Sequence, residues 1–303
     1  MSTLPEAREG RQRVGYLGPQ GTFSEEALLA SVQSETVEPV AMASIYDTIK
    51  ALREGLVRWA IVPIENSLEG SISVTLDELA GEPDDLKIVG EVVLRVSHAL
   101  IAAEMLPLGE IETVMTHPQV PGQCTRLLRE QLAGARILPA TSTAEAVRTV
   151  LAEGGHGASA IGTPLAAEIY GGTVIRSGVE DREDNETRFV WLARAVEEQR
   201  PTPLHEPGGE WKTSLVFWGL GGARAGWLVQ CLDEFARREI NLTKIESRPR
   251  RQRLGNYMFF ADLAGRLQEP RVAAAIEGLR ALCEEVRVLG SYPAAVREAG
   301  RTA

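Results

Sequence analysis

The chain is short of the residues that staple, ligate or span. Its 303 residues include three cysteines, Cys124, Cys231 and Cys283, far apart and without a CxxC pair. That argues against a disulfide framework or a zinc ribbon and fits reduced thiols in a cytoplasmic protein. The four histidines, His98, His117, His156 and His205, form neither HExxH nor HxH, so no metal is expected. No apolar run is long enough to span a membrane, and Met1 to Arg13 lacks the apolar centre of a signal peptide. Residues 1–12 read as a disordered tail. Basic charge is also scarce: 32 Lys plus Arg against 42 Asp plus Glu leave a net charge of −10. That is the wrong sign for a nucleic-acid footprint, though no bar to a small anion held locally. GxGxxG and P-loop signatures are missing too.

What is present is 44% apolar and 24% charged, enough for two or three soluble domains with a sizeable core. Val14-Gly15-Tyr16-Leu17 reads as a buried strand. Gly18-Pro19-Gln20-Gly21-Thr22-Phe23-Ser24 then leads into a helix from about Glu25. Free N–H groups at such a junction suit a carboxylate or phosphate; a plain tight turn is the equal alternative. Ser44 is an N-cap before Ile45, Ile49, Leu52 and Leu56 at helical spacing. Trp59 to Ile64 is a strand running into a second polar junction, Glu65-Asn66-Ser67-Leu68-Glu69-Gly70-Ser71. Lys87 to Ala103 is long enough to run as one strand from lobe to lobe. Thr116-His117-Pro118-Gln119 ends another strand; a helix from Pro118 would put Gln119 and Gln123 on one face. Ser142-x-x-Glu145 is a capping box, and Thr163-Pro164 supplies N-cap and N1. Asp184 to Leu192 begins polar and ends as a strand, with Thr187 and Phe189 on one face and Arg188 on the other.

Residues 14 to about 195 therefore alternate strand and helix, which predicts a mostly parallel sheet. Residues 97–178 read as a lobe inserted into the first, leaving a cleft. Residues 197–210, with Pro201, Pro203 and Pro207, form a linker. Residues 211–292 run βαββαβ, the ferredoxin-like order, before a tail over 293–303. Gly219-Leu220-Gly221-Gly222 is no dinucleotide loop, because Arg224 stands where the last glycine belongs.

In order, these motifs resemble the prephenate dehydratase family. Gly18 to Ser24, Val62 to Ser67, Thr116 to Gln119 with Gln123-Cys124, Ser142 to Val147, and Asn185-x-Thr187-Arg188-Phe189 are similar to its successive catalytic motifs. Asn241-Leu242-Thr243-Lys244-Ile245-Glu246-Ser247-Arg248-Pro249 resembles its C-terminal ACT regulatory domain. The resemblance implies an α/β catalytic domain over 13–196, bilobal like the periplasmic binding proteins, followed by a ferredoxin-like ACT domain. It implies an enzyme, a lyase converting prephenate to phenylpyruvate, water and carbon dioxide for phenylalanine biosynthesis, with phenylalanine as effector. No cofactor is implied, and a homodimer or homotetramer is. Met1 to Arg13 is too short for a fused chorismate mutase.

The resemblance makes Thr187 essential, with Glu65, Asn66, Gln119 and Gln123 lining the cleft. Thr187 is expected to donate to the departing hydroxyl, and Glu65 is the carboxyl candidate for a general acid. Thr22, Ser67, Thr116, Ser142, Thr143, Asn185 and Phe189 are candidate substrate contacts. Arg188 either holds a substrate carboxylate or braces the site through an ion pair. The effector set is Gly222, Ala223, Leu228, Asn241, Leu242, Glu246, Ser247, Arg248 and Pro249. One departure is Arg224 in place of an apolar residue, with Trp227 adding bulk, which predicts weaker or altered effector binding. Arogenate as substrate, and a non-catalytic sensor, are the alternatives.

Overall fold

The computed structural model describes residues 11–197, 209–219, 224–250 and 255–295. The chain divides into two compact units, Met1–Leu76 with Val93–Phe189 and Asp77–Val92 with Val190–Ala303. No helix among the described residues is long and apolar enough to cross a membrane. Residues 1–10 of the tail expected over 1–12, most of the linker and the last eight residues lie outside the described residues, and Gln12 already belongs to a strand.

The first unit starts with β1 (Gln12–Leu17), α1 (Phe23–Ser31), β2 (Val37–Met42), α2 (Ile45–Arg53) and β3 (Trp59–Asn66). β1 pairs in parallel with both β2 and β3. Ser44 caps α2, its Oγ accepting the Asp47 N–H at 3.0 Å. β4 (Gly70–Ser71) folds back antiparallel on the end of β3 and leads through α3 (Ser73–Ala80) to β5 (Leu86–Arg95). The expected continuous strand to Ala103 breaks here. The Val96 N–H turns to the Asn185 carbonyl at 2.8 Å and the His98 N–H to the Glu180 carboxylate at 2.8 Å. Both partners come from the segment that returns from the second lobe, so the crossing satisfies its own backbone instead of extending a ladder.

The second lobe comprises β6 (Ala99–Ala102), β7 (Thr113–Thr116), β8 (Arg136–Pro139), α4 (Thr143–Glu153), β9 (Ala158–Gly162), α5 (Pro164–Tyr170) and β10 (Thr173–Ser177). Its strand order is β10-β6-β9-β7-β8. β9, β7 and β8 are parallel, but β6 is antiparallel to both its neighbours, so this sheet is mixed where a mostly parallel one was expected. Leu100, Val114, Leu127 and Ile161 form one core of the lobe, and Ile101, Ala144, Val147 and Ala160 another. The chain then returns as β11 (Glu186–Arg194), in a first sheet ordered β2-β1-β3-β11-β5.

Two local expectations are corrected. No helix begins at Pro118: a 3-10 turn spans Val120–Gly122, and a π-helical turn follows at Leu127–Gln131. Pro121 biases Val120 away from α-helix and Gly122 adds backbone freedom, so regular winding starts late. The capping box at α4 is half made. Ser142 Oγ accepts the Glu145 N–H at 3.0 Å, but the Glu145 carboxylate takes the Arg148 guanidinium on the next turn. Thr163 caps α5 as expected, and its hydroxyl also donates to the Gly21 carbonyl of the first lobe at 2.6 Å. Gly21 has a φ of 82°, and a Cβ there would meet Ala166 Cα at 2.8 Å. Only glycine fits this contact between the lobes.

The second unit carries β12 (Trp211–Trp218), α6 (Trp227–Ala236), β13 (Leu242–Pro249), β14 (Tyr257–Ala264), α7 (Pro270–Arg280) and β15 (Glu285–Pro293). The sheet order β13-β14-β12-β15 is antiparallel throughout, which is the ferredoxin-like arrangement. Leu215, Phe217, Cys231, Phe235, Val272, Ile276 and Leu279 fill the core beneath the helices, each large side chain stabilising by about 1.5–3 kcal/mol. α6 starts at Trp227, directly after Gly226, whose φ of 80° lies outside the helical region. Cys231 and Cys283, remote in sequence, meet here at 3.8 Å.

Candidate active site

The end of β3 and the entry of β11 lie side by side, and their polar residues interlock. The Ser67 N–H donates to the Glu186 carbonyl at 2.8 Å, and the Glu186 N–H returns to Ser67 Oγ at 2.9 Å. Asn66 is the centre. Its Oδ1 accepts the N–H groups of Leu68 and Glu69 at 2.9 and 3.0 Å, which fixes which end of the amide is oxygen. Its Nδ2 therefore faces Asn185 Oδ1 at 2.8 Å and Thr187 Oγ1 at 2.9 Å, and donates to both. Thr187 thus receives a hydrogen bond, and among the described residues nothing accepts its own hydrogen. A hydroxyl held in this way is a ready donor to something outside the chain.

The network crosses to the second lobe. Asn185, 2% exposed, donates through Nδ2 to Gln123 Oε1 at 3.4 Å. Gln123 and Gln119 donate through Nε2 to the two oxygens of the Glu69 carboxylate, at 3.3 and 2.7 Å. The two glutamines do converge, although no regular helix presents them. Glu69 was missed as a site residue, although it stands in the turn that the sequence marks. Arg188 is buried and lies 3.6 Å from the Glu65 carboxylate, the ion-pair alternative of the two weighed for it. Phe189 is buried in the core at 2% exposure.

The remaining candidates are not hydrogen-bonded to this cluster. Thr22 Oγ1 donates to the Leu17 carbonyl and Thr116 Oγ1 to the Ile161 carbonyl, each at 2.8 Å. Ser142 caps α4, and Thr143 is buried in its first turn. No hydrogen bond among the described residues joins these four to Asn66, Asn185 or Thr187. At the Gly-rich turn, Glu25 accepts the Gly21 N–H at 2.5 Å, so the chain supplies its own carboxylate there. Burial, and then the neighbouring Glu25, push the Tyr16 phenol well above its usual pKa. Among the described residues, no group of three or more His, Cys, Asp or Glu converges as a metal site would need.

His98, like Glu69, was missed by sequence reading. It is 2% exposed, lies at the lobe crossing, and places Nε2 3.1 Å from Gln123 Oε1. The Phe23 ring meets it edge-on at 5.4 Å. Desolvation lowers its pKa, opposed by the Gln123 hydrogen bond and the charge of Glu180. Burial, helped by Glu180 and Asp181, pushes the nearby Cys124 thiol up to about 12, which leaves it unreactive.

In the second unit, Arg248 makes a two-pronged ion pair with Asp77 at 2.9–3.1 Å and lies 3.8 Å from Glu246. Lys244 also faces Glu246, at 3.3 Å. Leu228 and Leu242 pack against the core of the unit. Asn241 lies just before β13, and Ser247 and Pro249 lie on it, facing Phe259 and Tyr257 of β14. Trp227 is buried and donates through its indole N–H to the Leu282 carbonyl at 2.8 Å. Gly222 and Ala223 lie outside the described residues.

Comparison with known proteins matches the chain to a family. The family model for prephenate dehydratase matches residues 14–197. A prephenate dehydratase of Amycolatopsis methanolica is 40% identical over 281 residues, 92% of this chain and 88% of that one. A prephenate dehydratase from Arthrobacter aurescens, solved in complex with L-Phe, is 34% identical with a TM-score of 0.80, covering 92% of this chain and 89% of that one. A structure of GqqA, described as a novel type of quorum-quenching acylase, is 29% identical with a TM-score of 0.79, covering 93% and 98%. With a family model over more than half its length and a relative at 40% identity over nearly all of it, this chain belongs to the prephenate dehydratase family.

Proposed function

We propose that the chain converts prephenate to phenylpyruvate, and that the Asn66–Thr187 hydrogen bond carries the chemistry. The reaction breaks the ring C–O bond and the bond to the ring carboxylate. The electron pair of the second bond completes the aromatic ring, carbon dioxide leaves, and the departing hydroxide takes one proton to become water. Aromatisation supplies the drive, so the site has to position the dianion and stabilise the charge that grows on the leaving oxygen. Thr187 presents its hydrogen to that oxygen, because Asn66 already occupies its acceptor side. Gln119 and Gln123 suit a carboxylate, as their amides already hold that of Glu69. Arg188, compensated by Glu65, stabilises the floor of the site in preference to gripping substrate. An acyl-transfer role for Thr187 lacks support, since an amide and not a base stands at its hydroxyl. Arogenate as substrate and a non-catalytic sensor are not favoured, given relatives named for prephenate.

The Arthrobacter relative was solved with L-Phe, and we extend that ligand to this chain as its effector. The ACT-like second unit, with Glu246 to Pro249 on β13, is where it would act. A catalytic domain over 13–196, an ACT domain over 211–292, pairing of the ACT domains into a dimer or tetramer, and a cytoplasmic location belong to the same reading. The test is phenylpyruvate formation from prephenate at neutral to mildly alkaline pH, with and without phenylalanine. Thr187→Ala should lower kcat about a hundredfold or more, as loss of one preorganised donor does. Full turnover by Thr187→Ala would overturn the assignment.

A further inference from the structure

We propose that His98 is a positioning residue, a neutral imidazole whose Nε2–H holds the Gln123 amide in its working orientation. The proposal rests on the site reading above. The polarity follows from a chain of donors and acceptors anchored in the backbone. The Leu68 and Glu69 N–H groups fix Asn66 Oδ1, so Asn66 Nδ2 points at Asn185 Oδ1. Asn185 Nδ2 then points at Gln123 Oε1, which is therefore an acceptor. From the other side, the Glu69 carboxylate can only accept, so it takes Gln123 Nε2 as donor and fixes the same orientation. His98 Nε2, 3.1 Å from that oxygen, must then carry the hydrogen.

The second ring nitrogen agrees. Nδ1 is buried and has no hydrogen-bond partner among the described residues. A lone pair there is tolerable, whereas an N–H would be a stranded donor and a charged ring worse still. Desolvation, which lowers the pKa, works in the same direction. The ring itself is fixed. Its backbone N–H is taken by Glu180 and its carbonyl by the Val179 N–H at 3.1 Å, while Phe23 packs edge-on from the first lobe. His98 thus ties Gln123, on the second lobe, to the crossing between the lobes. Without it, the Gln123 amide keeps only the two longer contacts, to Glu69 at 3.3 Å and Asn185 at 3.4 Å, and the Asn66–Thr187 arrangement loses the firmest part of its far support.

Nitrogen-15 multiple-bond spectra of the full chain at neutral pH, with the His98 signals identified by their loss in His98→Gln, report the tautomer without any turnover. The expected result is a protonated Nε2 and a bare Nδ1. An Nδ1–H tautomer or an imidazolium overturns the proposal. In turnover, His98→Leu should lose about tenfold in kcat, the value of one hydrogen bond, with little change in KM. His98→Gln, whose amide nitrogen reaches the position of Nε2, should recover most of it. His98→Leu should add nothing to Gln123→Leu, since both break the same link. Additive losses, or a folded Gln variant as slow as the Leu variant, overturn the positioning role. A wild-type chain that leaves prephenate untouched would fail the functional reading, while the spectrum would still decide the tautomer.

Discussion

Two junctions in the first unit look alike in sequence and do different work. Each is a strand that runs into a polar, glycine-containing turn before a helix, at Gly18 to Ser24 and at Glu65 to Ser71. At the first, the chain closes the turn on itself: Glu25 takes the Gly21 N–H, and the Thr22 hydroxyl goes to Leu17. At the second, Asn66 uses its oxygen for the local turn and sends its nitrogen out to Asn185 and Thr187, 119 and 121 residues away. The first junction is thus spent on folding, and the second exports polarity into a site. An exposed N–H at a turn is an opportunity for a ligand only when no nearby side chain of the same chain has claimed it.

Asn66→Asp breaks this contrast most sharply. The acceptor for Leu68 and Glu69 survives, so the turn should stay formed, while the melting temperature should drop modestly because Asn185 Oδ1 loses its donor and faces a second oxygen. The donor to Thr187 is replaced by a carboxylate oxygen, which would draw the threonine hydrogen inward and away from the substrate. We expect kcat to fall by about 10²–10³, the loss seen when one preorganised donor is removed. Near-normal turnover would mean that Asn66 does no more than Ser44 does at its helix. Glu25→Ala gives the mirror result. It strands the Gly21 N–H in a buried turn and removes the partner of Tyr16, so stability should drop by about 2 kcal/mol, read by denaturant unfolding. Turnover of the folded fraction should stay within about twofold, because a buried hydrogen bond lost outside the site affects folding more than chemistry. If Glu25→Ala slowed turnover as much as Asn66→Asp, the two junctions would be functionally equivalent and the contrast would fall.

The sequence showed where polar residues gather and could not show how they are paired. Strand-helix alternation, the caps at Ser44 and Thr163, and the βαββαβ order are local or periodic signals, and the fold carries all of them. The family motifs brought Asn66, Asn185, Thr187 and Gln123 into one site before any geometry was known. His98 and Glu69 escaped because their significance lies in partners 25 and 50 or more residues away, and neither stands in a pattern of its own. The break after β5 was hidden for the same reason. Val96 and His98 read as strand until the returning segment supplies Asn185 and Glu180 to their N–H groups. The helix expected at Pro118 failed on backbone chemistry that was visible, since Pro121 and Gly122 stand in its first turns.

The smallest effect expected is the pH dependence that His98 gives to the second junction. Its folded pKa lies below the ordinary value because desolvation outweighs the opposing pulls of Gln123 and Glu180. In the unfolded chain the imidazole titrates near about 6.5. Between those two values the unfolded state binds more protons than the folded one, so stability rises with pH across that window. The contribution is complete above about pH 6.5 and is lost as the pH falls through the folded value, because charging the ring would place an imidazolium between Phe23 and Gln123, where Glu180, bonded to the backbone N–H, offsets the burial only in part. His98→Gln removes the titrating group and keeps the Nε2-side donor. Melting curves of the two proteins should therefore diverge on acidification from about pH 7.5 to about pH 5, the wild type losing more. Parallel curves would mean that the ring charges in the folded state as easily as in water. The donor chain from Asn66 would then end at Gln123, and the second junction would be exporting polarity to a partner that does not hold it.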